Sequence, residues 1–381
     1  MTQQPGSSTA AHPDQPVTTG TRAEPDRPVD AGTRAEPDQP VDAAATDVDR
    51  KQPVDAGRAD ERATTDGPGV TAAPGAPGAL LLAVLAAGWL TAMLWSTRAA
   101  IDSAQAGVTA ISLSAYALPG VISAALVAGA GIALAVTNLL TRRGADRATL
   151  RFVVAVGAGL LVGSATAVAI NLFYADNATT NVIAGSTAAA AVVGGALAGA
   201  RNAPVVGAVV TGTLAVLVFV VAFSQLRDRL FVLYGGEGTQ EAMVDAARWV
   251  SRTESLAAGL LAGLLAFGYL RLARRRALRR DPDAPAGRWP GYLVAGAGAG
   301  LLLLLTEVII RIGGRSLLDL AGALSEADAV AQTTLGTSRI DNGIWVLFVG
   351  ALTALIAFGR TLGPAPAADD EEDADGASAA T

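Results

Sequence analysis

Residues 269–305 read YLRLARRRALRRDPDAPAGRWPGYLVAGAGAGLLLLL. Six arginines, Arg271, Arg274, Arg275, Arg276, Arg279 and Arg280, fall within ten residues, between flanks almost free of charge. Such a knot between two apolar runs has a direct physical reading. The runs enter hydrocarbon, and the basic loop stays in water on the side of a membrane where Lys and Arg accumulate.

The pattern recurs along the chain. A helix crosses the roughly 30 Å hydrocarbon layer in about 20 residues. Eight stretches meet that length or approach it: 78–96, 118–140, 152–174, 181–200, 204–226, 255–272, 291–312 and 343–359. The fourth is mostly Ala and Gly, and the eighth is short. The fold class expected is all-α, a polytopic transmembrane helix bundle of about eight spans occupying residues 78–360.

The arginines then set a topology. Arg142, Arg143, Arg147 and Arg151 join spans two and three, Arg201 joins four and five, and Arg360 follows span eight. Together with the opening knot and Arg288 these loops alternate along the chain. They place both termini on the cytoplasmic side of a plasma membrane. The opposite connectors, 97–117, 227–254 and 313–342, are longer and carry mixed charge, with Arg98, Arg227 and Arg229 weighing slightly the other way. The knot also reads as a site for anionic lipid headgroups, because basic residues beside a cytoplasmic leaflet attract them.

The termini differ from this body. Residues 1–77 are rich in Pro, Asp, Thr, Ala and Gly, and repeat TRAEPDRPVDAG (21–32) as TRAEPDQPVDAA (33–44), with a decayed QPVDAG at 52–57. A polar, Pro-containing twelve-residue unit buries too little apolar surface to offset its ordering entropy, so a disordered tail is expected. The same array also reads as a docking segment for a protein partner. No charged segment followed by an early apolar stretch opens the chain, so no cleavable signal peptide is expected. Residues 361–381 hold DDEEDAD (369–375) and read as a second disordered, solvated tail.

Charge is segregated accordingly. The first 77 residues carry 7 basic and 13 acidic residues and the last 21 carry 6 acidic ones. From 28 basic and 34 acidic residues in all, 21 and 15 remain in the body. The chain is net negative while its membrane body is net positive. Cysteine is absent, which excludes disulfides and thiolate chemistry, and the single histidine, His12, lies in the N-terminal tail. Arg outnumbers the lone Lys51 and Ala and Gly abound, a composition expected of a GC-rich bacterial source.

Small residues recur four apart, as Gly159/Gly163, Gly195/Gly199, Gly259/Gly263 and Gly296/Gly300. Each pair shares a helix face and predicts close backbone approach. RFVVAVGAGLLVG (151–163) also resembles GYLVAGAGAGLLL (291–303), and hairpins around basic loops recur, which hints at internal repetition.

Charge inside spans marks function, because each charged group costs about 2.5–3.5 kcal/mol at the bilayer centre. The exception here is TEVIIRIGGRSLLDL (306–320). Glu307 and Arg311 are four apart and would pair on one helix face. Arg315 and Asp319 continue the spacing beyond a break at Gly313-Gly314. This is either a salt-bridge ladder or a polar site at an outer mouth, for an anionic group or for gating. Asn171 and Asn138 are weaker polar candidates, suited to interhelical hydrogen bonds.

Short surface helices are expected at 101–113, at 239–252, and from a Ser316–Asp319 capping box to about 331. Walker loop, nucleophile elbow and zinc signature are missing, so neither an enzyme nor a bound cofactor or metal is expected. Nucleic acid is not an expected partner, since aromatics do not interleave the basic loop. Asn177-Ala-Thr179 matches a glycosylation acceptor, too short a signal to use. The function expected is a transporter-, permease- or channel-like subunit for a small or lipidic solute. The second reading is a non-transporting scaffold acting through its tails and outer cap.

Overall fold

The computed structural model describes residues 75–103, 108–144, 147–173, 178–200, 202–282 and 288–361. Among them are ten α-helices. These are α1 (Ala79–Ser103), α2 (Val108–Arg142), α3 (Ala148–Phe173), α4 (Ala178–Ala200), α5 (Ala203–Ser224), α6 (Arg227–Leu233), α7 (Gln240–Leu278), α8 (Trp289–Gly313), α9 (Arg315–Leu324) and α10 (Glu326–Gly359). Eight of these, all but α6 and α9, are long and apolar enough to cross a membrane. The body is a multi-pass membrane helix bundle. The repeat at 21–57, the acidic run at 369–375, Arg201 and Asn177 lie outside the described residues.

Several helices are longer than the sequence implies. No Pro or Gly occurs from Gln240 to Ala258, so nothing interrupts the chain before the sixth span. The surface helix expected at 239–252 and that span are one helix of 39 residues. At about 1.5 Å per residue it measures roughly 58 Å, nearly twice the hydrocarbon layer. The helix expected at 101–113 is likewise not separate. Its first residues end α1 and its last begin α2, which runs through Pro119. A bundle interior tolerates proline because neighbouring groups re-satisfy the freed backbone.

The capping box expected at Ser316 is not used. Gly314 precedes α9, and Ser316 sits inside it. The amphipathic run breaks instead at Ser325, whose extended backbone (φ −151°) separates α9 from α10. Its hydroxyl accepts from the Asp328 N–H at 3.2 Å, the bond that a Ser immediately before the first helical residue is suited to make.

The spanning helices form two groups of four. In the first, α3 packs most extensively on α4, α2 on α4, α1 on α2 and α2 on α3. In the second, α8 packs most extensively on α10, then α7 on α10, α5 on α7, α5 on α8 and α7 on α8. The leading contacts of the two groups correspond, but α5 packs on α8 where α1 makes no comparable contact with α3. The residues agree. Val154, Ala155, Leu161, Thr166, Val168 and Ile170 of α3 correspond to Val294, Ala295, Leu301, Thr306, Val308 and Ile310 of α8. Ala, Thr and Ile of each set are buried, and Leu161, Leu301, Val168 and Val308 are exposed. These positions extend the likeness of residues 151–163 and 291–303 to the ends of both helices.

Close backbone approach occurs in both groups, at different positions of α3 and α8. A Cβ on Gly195 of α4 would sit 2.9 Å from the Gly159 Cα of α3, and one on Gly296 of α8 would meet the Gly350 backbone of α10. Gly129 of α2 is pressed on Ala191 of α4, and Gly259 of α7 on Val346 of α10 at 3.3 Å. Without side chains between them, helices gain dispersion contacts along their length, the main attraction available in lipid. The groups join through α2, which touches α5, α8 and α9. Its apolar window is 83 % buried, against 22 % for α1 at the periphery.

Candidate functional site

The bundle has two ends. One carries Arg142, Arg143 and Arg147 beyond α2 and the exposed knot of Arg271, Arg274, Arg275, Arg276, Arg279 and Arg280 at the end of α7. Cations there also complement the negative end of that helix. Asn138 is buried near this basic end, beside Gly75. Asn171 is exposed on the last turn of α3, at the far end, and the structure does not bring these two asparagines together.

Glu307 lies at the far end of α8, and its side chain is 7 % exposed. The expected partner is present: Arg311 donates Nε–H to Glu307 Oε1 at 3.2 Å, one turn along the same helix. A second guanidinium completes the group. Arg339 of α10 donates Nε–H to Glu307 Oε2 at 2.9 Å. The carboxylate is shared between an intrahelical and an interhelical arginine, and the interhelical one is better buried, 30 % exposed against 59 %. Burial of a lone carboxylate costs several kcal/mol. Two donors on separate oxygens offset that, and the exposed part of Arg311 keeps its own hydration.

Gly336 supplies the room. A Cβ there would lie 3.3 Å from Glu307 Oε1 and within 3.8 Å of both guanidiniums. Gln332, Gly336, Arg339 and Gly343 follow at helical spacing on α10, so they form one stripe. The amide atoms of Gln332 and Oδ1 of Asn342 are buried with no protein partner. Polar atoms of this kind, on the helix that carries Arg339, are suited to water or to a ligand group.

Arg315 is not part of this cluster. It reaches Asp319 on α9 at 3.7 Å, with both side chains exposed. The spacing of four continues as read, yet the bend at Gly314 puts the second pair on another element.

Two further acidic groups at the far end escaped the sequence reading. Glu254 is buried on α7 and accepts from Arg227 of α6 at 3.0 Å. Asp328, in the first turn of α10, accepts from the Ser112 hydroxyl and from the Tyr116 hydroxyl (3.2 Å) of α2. Both were counted among connector charges because the long helices containing them had not been recognised. The usable signal was the unbroken helical run ahead of each span.

Comparison with protein families, curated proteins and solved structures gave no match.

Proposed function

We propose that this multi-pass membrane protein is a transporter- or permease-like subunit of the plasma membrane that handles a small or lipidic solute. Both termini are cytoplasmic in this reading, and the Glu307–Arg311–Arg339 cluster stands at the outer mouth. The observation carrying it is the sharing of a buried carboxylate by guanidiniums of two helices at one end of the bundle. Intramembrane ionisable groups are expensive and mark solute or ion paths. Two groups of four spans whose leading contacts correspond supply the two bodies that many transporters use. Orientation rests on the basic end, where the arginines meet anionic headgroups of the cytoplasmic leaflet. Catalysis is not part of the proposal.

A second reading has its own observation. At about 1.5 Å per residue the 39 residues of α7 and 34 of α10 extend well beyond a bilayer. They build, with α6 and α9, an outer tier able to organise partners, and the N-terminal repeat would add a cytoplasmic docking segment.

One purification separates the two. The protein is solubilised full-length and without residues 1–67, which leaves the packed Ala76 in place. Bound proteins, lipids and solutes are identified by mass spectrometry. Solute or lipid retained by the shortened chain without a protein partner supports transport. A stoichiometric protein lost with the tail supports the scaffold and defeats the transport reading.

A further inference from the structure

Transport through a two-body bundle needs contacts that close each end in turn, and hydrogen bonds join the two four-helix groups at both ends. At the far end Asp328 of α10 takes the hydroxyls of Ser112 and Tyr116 on α2, one on each carboxylate oxygen. Its backbone N–H is held by Ser325, so the carboxylate sits at a helix start, where the positive end of the dipole favours it. At the basic end the Tyr269 hydroxyl of α7 donates to the Pro77 carbonyl, just before α1, at 2.7 Å. Close packing of Tyr269 against Gly207 of α5 fixes its ring in that direction. Gly78, with φ +69°, turns the chain from this carbonyl into α1.

The middle differs. There Ile122, Leu126 and Leu134 of α2 share one apolar core with Val210 and Leu214 of α5 and Leu302 of α8. Such a surface is non-directional and keeps favourable contacts through small rotations, whereas hydrogen bonds weaken steeply with misalignment. At the far end the bend between α8 and α9 also seats in the first group: Gly313 faces Ser186 of α4, and Gly314 faces Leu118 of α2.

We propose that Asp328 with Ser112 and Tyr116 forms an outer latch, and Tyr269 with the Pro77 carbonyl an inner latch, on two four-helix bodies that rock about their apolar seam. The structure holds both latches closed; in the proposed cycle the outer one releases while the inner one stays closed, and the reverse. This rests on the transport reading and adds the moving parts to it.

The absence of cysteine makes the test clean, since introduced thiols are the only ones. Spin-label pairs are placed on the full chain in lipid nanodiscs. Leu172→Cys with Val330→Cys reports the outer end, and Leu150→Cys with Leu278→Cys the inner end; all four side chains are exposed. Distances are measured by double electron–electron resonance. Asp328→Ala is expected to lengthen the outer distance without lengthening the inner. Tyr269→Phe is expected to do the opposite. Ser112→Ala with Tyr116→Phe removes the outer latch from the other body and must reproduce Asp328→Ala, which guards against a folding defect in one variant. Distances unmoved by any of these, or both ends lengthening together, overturn the latches. Unmoved distances in a protein that still retains solute in the purification above leave the transport reading intact, so the two failures are distinguishable.

Discussion

The first four spans and the last four are built to one plan and carry different chemistry. Thr166 of α3 and Thr306 of α8 are both buried, and each returns its hydroxyl to the carbonyl one turn earlier, Val162 at 2.8 Å and Leu302 at 2.9 Å. The next residue is Ala167 in α3 and Glu307 in α8; four further on stand Asn171 and Arg311. The difference teaches where packing ends and specialisation begins. The two groups place different residues after this threonine, and α3 shows that a helix packed in this way forms with Ala there. The carboxylate in α8 is therefore an addition to the plan, held by an arginine from α10.

The largest effect expected from breaking this comparison is at Arg339. Arg339→Ala leaves Glu307 buried with only its exposed intrahelical partner, and removal of one member of a buried pair costs about 3–5 kcal/mol. Arg311→Ala removes the more exposed ion pair, for which about 1 kcal/mol is expected. Thermal or denaturant unfolding in detergent would rank the two. Equal losses would mean that the pair within α8 matters as much as the tie to α10, and the cluster would then not be an interhelical device.

Next come the shared contacts. Gly195→Leu in the first group and Gly350→Leu in the second force a side chain between touching backbones, since a Cβ at Gly195 would already meet the Ala155 carbonyl oxygen and one at Gly350 the Gly296 carbonyl oxygen. Overpacking of this kind costs about 1–3 kcal/mol. Similar losses in the two groups are expected. A large loss in one and none in the other would show that the corresponding contacts conceal different mechanics.

Much of this fold was legible in the sequence, and the reason is physical. Length and apolarity decide whether a helix spans, and each of the eight stretches falls on its own spanning helix. The glycine pairs read from spacing do face neighbouring backbones, as at Gly159 and Gly296. Boundaries were read less well. From the sequence the sixth and eighth spans begin at Ser255 and Gly343, just past Glu254 and Asp341, whereas the helices begin at Gln240 and Glu326, and α10 runs on through Gly336 and Gly343. That error hid Arg339, Glu254 and Asp328 among loop residues. Glu307 and Arg311 were found because their pairing is local, one turn apart. The partner across α10 depends on an antiparallel register that no local spacing specifies. The six arginines of the knot were placed at a helix end because charge density alone excludes them from hydrocarbon.

A smaller effect on stability, and the sharpest use of the comparison, follows from rewriting the second group with the first group's residues. Glu307→Ala, Arg311→Asn and Arg339→Ala together leave no buried charge unpaired in this cluster. Replacing a whole buried ion pair by apolar groups of similar volume is often neutral, in contrast to removing one partner, and the smaller side chains here add the cost of the space they leave. The triple variant is expected to unfold closer to the parent than the Arg339 single variant does. Loss of co-purified solute in this stable variant would assign the cluster to recognition. Retention of solute would move recognition elsewhere and leave the cluster a clamp between α8 and α10.

The smallest folding effect is expected at the basic end. Arg274→Gln, Arg275→Gln and Arg276→Gln alter exposed side chains, and surface changes of this sort fall within about 0.5 kcal/mol each. Their role in the proposal is electrostatic attraction to an anionic leaflet, worth about 1 kcal/mol per basic residue near the surface. In nanodiscs of mixed neutral and anionic lipid, the parent is therefore expected to retain more anionic lipid through detergent extraction than the triple variant. The first group has fewer arginines at the corresponding turn, Arg142, Arg143, Arg147 and Arg151. Neutralising those four should release less lipid than neutralising all six of the knot. Equal release from the two turns would mean that net charge of the whole face, rather than its concentration at the end of α7, holds the lipid.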